Sequence, residues 1–416
     1  MTMPSGARTN TELPPTAGLP LTFGDYARRP VLPFAEALRR WPNLPEPAVA
    51  CSGTAALAVA LKTLRRRAPE RDTVIVPAFT CPLVPLAAAL VPGVRVAVCD
   101  TLPGGIDLDP QALDALCGEK TLAVVPTHLG GRVANLQTAA AVAARCGAYV
   151  IEDAAQALGA FAENGRSVGL EGDIGFFSLA AGKGLTTYEG GILVSRDARL
   201  RAELSATARE TLRPSLFWTL RRNLELLGYA LLYNPSGLRL AYGRNLRRKL
   251  ADGDEAGAVG DRFSPADIPL HSLDALRLRV AANALARLPA FLAEGRARAA
   301  RRIDQLAGLT ERAGVSLILD RPGADGIWPF FMVLLPSKDQ RDRALHRLWR
   351  AGLGVSKLFV SALPDYDFLA PFLKGKKKSD CPNARDLAGR MLTVSNTHWM
   401  DDDAFTRIAE TLERSL

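Results

Sequence analysis

The stretch GFFSLAAGKGLTTYEGG, residues 175–191, sets Lys183 among alanines, threonines and glycines, with Ser178 five residues before it and Glu189 as the only other charge. A surface helix would surround a lysine with polar side chains, so this composition reads as a tight, partly buried loop. Desolvation there disfavours the charged ammonium, and a neutral amine is both a nucleophile and a base. Three other short pieces carry chemistry: CSGTAAL at 51–57, PTHLGG at 126–131 and EDAAQALGA at 152–160. In the first, Ser52, Gly53 and Thr54 precede a helical run. Free amides and a hydroxyl at that positive end suit a phosphate, although SGT is also an ordinary helix N-cap. In the third, Asp153 follows the apolar AYVI. A carboxylate at the end of such a strand is costly unless it faces a positive partner or caps the next helix.

A protonated pyridine nitrogen is a suitable partner for Asp153, and keeping it charged is what makes pyridoxal phosphate an electron sink. On that reading Lys183 bonds to the cofactor, Ser178 holds its phosphate, and the small Ala155 lets a flat ring lie against the backbone. Gly182, Gly184, Gly190 and Gly191 let the chain turn tightly around the lysine. His128 either touches substrate or is a hydrogen-bonded structural histidine.

The elements that would position these residues alternate from about 45 to 200: β-branched runs such as TVIVPA, VRVAVCD and AYVIEDAA exchange with alanine-rich runs such as LQTAAAVAARCG. This alternation is the pattern of a mainly parallel sheet covered by helices on both faces, with its ligand at the carboxyl ends of the strands. From about 205 to 262 the chain becomes helical, arginine-studded and aromatic; then follow one long helix over SLDALRLRVAANALARLPAFLAEGRARAARRIDQL, strands in LILD and WPFFMVLL, and two further helices. We therefore expect an N-terminal arm (1–44), a large cofactor-binding domain (45–265) that includes an atypical helical insertion at about 205–262, and a smaller α+β C-terminal domain (266–416).

Composition narrows the class. The 416 residues carry 52 Lys+Arg against 43 Asp+Glu, a formal charge of +9. The surplus suits an anionic substrate but is scattered apart from the lysine run at 374–378 and arginines near 221 and 247, so nucleic acid is not indicated. That lysine run reads as a solvated loop. The six cysteines show neither zinc spacing nor a disulfide framework, and no metal is expected. The polar, proline-rich N-terminus lacks the apolar core of a signal peptide, which fits a cytoplasmic protein. TVIVPAFTCPLVPLAAALVPGV carries no charge, but Pro77, Pro82, Pro85 and Pro92 break it into core elements. Segment 213–250 reads most simply as a helix docked between subunits or over the active site. Its aromatics and arginines also fit an amphipathic element on a membrane face or over a lipid-linked substrate.

SGTAAL, EDAAQALGA, GDIGFFSLAAGKGLTTYEGG and CPNARDLAGRMLTV together resemble the DegT/DnrJ/EryC1/StrS family of sugar aminotransferases, pyridoxal-phosphate enzymes of the aspartate aminotransferase-like fold type I. The likeness is strong over about 45–200 and weak over 265–416. Its most specific element, S-x4-K-x5-E-G-G, is met by Ser178, Lys183, Glu189, Gly190 and Gly191. The resemblance implies Lys183 as the cofactor-bonded lysine and proton shuttle and Asp153 as partner of the pyridine nitrogen. It places Gln156 near the cofactor's 3-hydroxyl, and Gly53, Thr54 and Ser178 on its phosphate. A branch with histidine in place of the lysine removes a sugar hydroxyl instead, so Lys183 points to transamination. Glutamate as donor, a nucleotide-linked keto sugar as acceptor, a homodimer and a place in cell-surface polysaccharide synthesis are further implications. The alternatives are a sugar dehydratase, a keto-cyclitol aminotransferase, or a non-catalytic regulatory descendant. The sequence departs from the pattern at Cys81, where an aromatic residue usually stacks on the cofactor ring, leaving Phe79 or the sulfur itself to cover it. It also reads ADIPLHSLDALRL where the family has Gly-x-Asn-Tyr-Arg, whose asparagine reaches the neighbouring subunit's phosphate.

Overall fold

β-branched runs bounded by turn residues become short, mostly buried strands. In the computed structural model, which describes residues 11–373 and 381–416, seven of them form one sheet. They are β1 (Ala48–Ala50), β2 (Thr73–Pro77), β3 (Arg95–Cys99), β4 (Thr121–Val124), β5 (Tyr149–Asp153), β6 (Ile174–Ser178) and β7 (Gly191–Val194). Their order is β1-β7-β6-β5-β4-β2-β3. Every pairing from β3 through to β6 is parallel, whereas β7 pairs antiparallel with both β6 and β1. Two reversals cancel, so β1 points the same way as β6. The carboxyl ends of β1, β2, β4, β5 and β6 therefore open along one edge. β2, β4 and β7 are buried throughout, as strands covered on both faces must be. This is the mainly parallel α/β architecture the alternation predicts.

The covering helices start at side-chain caps. Ser52 Oγ accepts from Ala55 N at the head of α1 (Gly53–Arg67), and Asp197 caps α2 (Ala198–Thr211). Helix Leu136–Cys146 ends at Gly147 in the left-handed conformation. Beyond α2, the expected helical insertion comprises α3 (Leu216–Leu232), a short turn of helix, a π-turn at Arg239–Gly243 and α4 (Arg244–Ala251).

The expected single long helix is two, α5 (Ala275–Leu285) and α6 (Leu288–Ala313). Pro289 is the second residue of α6, where its missing N–H costs nothing; further inside one continuous helix it would clash with the preceding turn. After α6 a second, antiparallel sheet has the order β10-β11-β9-β8, with β8 at Ser316–Leu317, β9 at Phe330–Leu334, β10 at Val355–Ser356 and β11 at Met391–Ser395. An apolar cluster that includes Phe79, Leu129, Phe330 and Phe359 joins the open edge of the large sheet to this smaller one. The lysine run at 374–378 lies outside the described residues.

Candidate active site

The loop after β6 is closed on itself. Ala181 N donates to the Tyr188 carbonyl at 2.8 Å and Thr187 N to that of Leu179 at 2.9 Å, so residues 179–190 form a tight excursion with Lys183 near its tip. The arm pins it: Thr16 Oγ1 donates to Gly182 O at 2.7 Å, and Leu19 N to Gly184 O at 3.0 Å. Lys183 is half-buried and lines a cavity of about 420 Å³ at the carboxyl edge of the large sheet. Burial holds its pKa below the usual lysine value, against the opposing pull of Cys81 and Asp153.

Asp153 ends β5 on the same cavity, buried, with its carboxylate accepting from Ala155 N at 3.0 Å. No helix begins here, so the bond closes a local Asx turn rather than an N-cap. Loss of water pushes the carboxyl up to about 6, with the Ala155 amide, Lys183 and His128 pulling the other way. A buried acid with one short bond is a site for a cation. His128 lines the cavity too, but both of its ring nitrogens are engaged. Nδ1 accepts from Ala134 N at 3.1 Å, which places the proton on Nε2 facing Glu152 Oε2 at 3.1 Å. Glu152 is itself fully buried and accepts from the amides of Gly169, Glu171 and Gly172. His128 is thus a structurally held ring. Gln156 reaches the cavity with its Oε1 accepting from Gly130 N at 2.7 Å.

Gly53, Thr54 and Ser178 line the same cavity. Ser52 Oγ serves as the N-cap, leaving the first amides of α1, those of Gly53 and Thr54, without intrahelical partners. A Cβ on Gly53 would lie 2.9 Å from Ser178 Cβ, so only glycine lets the α1 terminus meet the end of β6. Gly191 has the same duty one strand over, where a Cβ would collide with the Ser52 carbonyl. Of the four glycines expected to turn the lysine loop, Gly182 has positive φ, whereas Gly190 and Gly191 serve close packing. An anion-binding cradle, a buried carboxylate and a desolvated lysine on one cavity suit the phosphate, ring nitrogen and aldehyde of pyridoxal phosphate. Ala155 also lines the space where a flat ring would lie.

Cys81 lines this cavity beside Thr80, while Phe79 turns away to pack edge-on against Phe359 at 5.5 Å. The sulfur, not Phe79, therefore faces the space. Several cavity residues carry no sequence signal because they arrive from distant segments. Tyr242 and Asp261 come from the insertion, and Lys357 and Thr393 from the smaller sheet. Asp261, buried, accepts from Tyr366 Oη at 2.6 Å and Val360 N at 2.9 Å, and Lys357 Nζ lies 2.6 Å from Glu255. Glu189 sits behind the loop, paired with Arg222 of α3 at 2.5 Å. The stretch before α5 turns inward within its own chain, with His271 stacked on Trp218 at 5.4 Å and Pro269 O accepting from Cys51 Sγ.

The model of the DegT/DnrJ/EryC1/StrS aminotransferase family matches residues 24–219 and 272–413. The chain belongs to that family. Its pyridoxal-phosphate fold type I is shared with Spr1654 of Streptococcus pneumoniae in its PLP form, which superposes with a TM-score of 0.72 at 17% identity over 97% of this chain and 100% of that one. Among curated relatives, an L-glutamine:2-deoxy-scyllo-inosose aminotransferase of Streptomyces fradiae is 38% identical over 40% of this chain and 38% of its own length. GDP-perosamine synthase of Caulobacter vibrioides is 35% identical over 38% of this chain and 42% of its own. The matched part of this DegT/DnrJ/EryC1/StrS member thus spans about two fifths of either relative. Residues 220–271, which include most of the insertion expected at about 205–262, fall outside the family model.

Proposed function

We propose that this protein is a pyridoxal-phosphate aminotransferase that moves an amino group from glutamate to the ketone of a nucleotide-linked sugar, acting as a homodimer in the cytoplasm in the synthesis of surface polysaccharide. The observation that carries the reading is the single cavity shared by Lys183, Asp153 and the free amides at the head of α1. Lys183 anchors the cofactor. Ser178, Gly53 and Thr54 hold its phosphate, Asp153 faces its ring nitrogen, and Ala155 and Gln156 border the ring. When bound, the cofactor supplies an electron sink that makes the proton on the amine-bearing carbon removable. Burial favours the free amine at Lys183 Nζ, which with the cofactor bound would take up and give back that proton. Asp153, with a cation against it, stays ionised. Apolar side chains such as Leu57, Val84 and Phe330 exclude water from the same space.

A keto-cyclitol is the second acceptor class. The 2-deoxy-scyllo-inosose aminotransferase relative favours it, and a cavity of about 420 Å³ has room for the cofactor and one six-membered polyol ring. Retention of both Lys183 and Asp153 speaks against a non-catalytic descendant.

Absorption spectra of the purified protein with pyridoxal phosphate, before and after glutamate, test the reading. A visible band that Lys183→Ala abolishes and that glutamate shifts is the expected result. A wild type without any band overturns it. Release of 2-oxoglutarate in the presence of keto-sugar nucleotides or a free keto-inosose then separates transfer from dehydration and one acceptor from the other. Sedimentation velocity reports the dimer.

A further inference from the structure

Leu216, Phe217, Leu220, Leu224, Leu227 and Leu231 are each between 45% and 85% exposed and all belong to α3. At 3.6 residues per turn they fall within an arc of about 100°, a continuous apolar stripe. Of the fifteen large apolar side chains exposed among the described residues, eight lie between 216 and 240. The opposite side of α3 explains its docking: Leu226 is buried, and Tyr233 Oη donates to Thr16 O at 3.0 Å on the arm that pins the lysine loop. Nothing in the packing of the described residues explains the outward stripe.

Charge says what covers it. Segment 213–250 holds eight arginines and lysines and one acid, a surplus of seven in a chain whose total is +9. The acid, Glu225, is already engaged by Arg221 at 3.0 Å and Arg222 at 2.6 Å. Just beyond α3, Arg239, Arg244 and Arg247 line an open cleft of about 410 Å³ with Leu240 at its rim, and Arg248 is exposed on α4. Arg247 there is balanced by Glu12 at 2.6 Å. A two-fold contact between copies of this face would set arginines against arginines. An anionic surface with an apolar interior satisfies both the charge and the stripe. No helix of the described residues is long and apolar enough to cross a bilayer.

We propose that α3 and α4 form a peripheral membrane-binding face, with the leucine stripe lying in the interface of an anionic lipid surface and the flanking arginines on its headgroups. The proposal is independent of the aminotransferase reading, because neither the stripe nor the cleft lines the active-site cavity.

The test is flotation of the full-length, pyridoxal-phosphate-loaded protein with phosphatidylglycerol–phosphatidylethanolamine vesicles and with phosphatidylcholine vesicles, at low and high salt. Wild type should float with the anionic vesicles at low salt, bind the neutral ones weakly, and be partly released by salt. Leu220→Glu/Leu224→Glu should stay at the bottom, and exposed Arg244→Gln/Arg248→Gln should bind roughly tenfold or more weakly. Wild type that never floats with anionic vesicles overturns the proposal whether or not the leucine variant folds. So does wild type that floats equally with both vesicle types. A leucine variant that loses subunits in sedimentation velocity, while wild type ignores vesicles, makes the stripe a subunit contact and also overturns it.

Discussion

Asp153 couples the site to pH. Its carboxyl keeps a proton up to about pH 6 in the fold but only to about pH 4 in an unfolded chain. The folded chain binds more protons inside that window. Stability of the cofactor-free protein should therefore fall as pH rises from about 4 to about 6. A cation against the carboxylate reverses the sign, so pyridoxal phosphate should bind more tightly across the same interval. Thermal melts over pH, with Asp153→Asn expected to remove the slope, check both statements. Lys183 shifts in the other direction: burial lowers it, so the rising limb of the pH–rate profile should lie below the ordinary lysine range, and Lys183→Ala should reduce turnover roughly a thousandfold or more. Lys183 and Asp153 were legible in the sequence because each is a charge placed where apolar neighbours make charge costly. Glu152, next in line to Asp153, gives no such sign. Besides His128, its partners are backbone amides 17 to 20 residues away, and amides have no letter in a sequence.

At the scale of elements, the phosphate end depends on three chains of backbone meeting with no room for side chains: the head of α1, the end of β6 and the start of β7. Gly191→Ala should cost about 1–3 kcal/mol of stability and weaken cofactor binding. Gly53→Ala, which meets Ser178 directly, should weaken the cofactor more than the fold. Chemical denaturation and cofactor titration of the two variants separate these effects. The alternation of apolar and alanine-rich runs made the parallel sheet readable, since period and length report burial on both faces. The break between α5 and α6 went unread for an equally physical reason. Helical periodicity continues through Pro289, and only tertiary packing decides that the helix restarts there instead of bending.

Across the whole molecule, the cavity is closed by parts far apart in the chain. Asp261 of the insertion holds Tyr366 and Val360 of the C-terminal region, and Glu255 holds Lys357. Tyr366→Phe removes one donor from a buried carboxylate whose pKa burial has already raised, and should cost about 1–3 kcal/mol. If the link also positions the cavity wall, KM for the acceptor should rise with kcat little changed; melting curves and steady-state kinetics measure the two separately.

The sequence by itself singled out Lys183, Asp153, Ser178, Gly53 and Thr54 as candidates, because each sits in a short motif at a strand end, where local composition records desolvation, turning and capping; the structure brings them to one cavity. The family and the mainly parallel fold followed from the same motifs and their spacing. Only the tertiary structure decided that Cys81 rather than Phe79 faces the cavity, and that His128 is committed at both nitrogens. It alone also brought Tyr242, Asp261 and Lys357 to the site and left one face of α3 uncovered. Those outcomes depend on which distant surfaces meet, and periodicity along a chain carries no information about that.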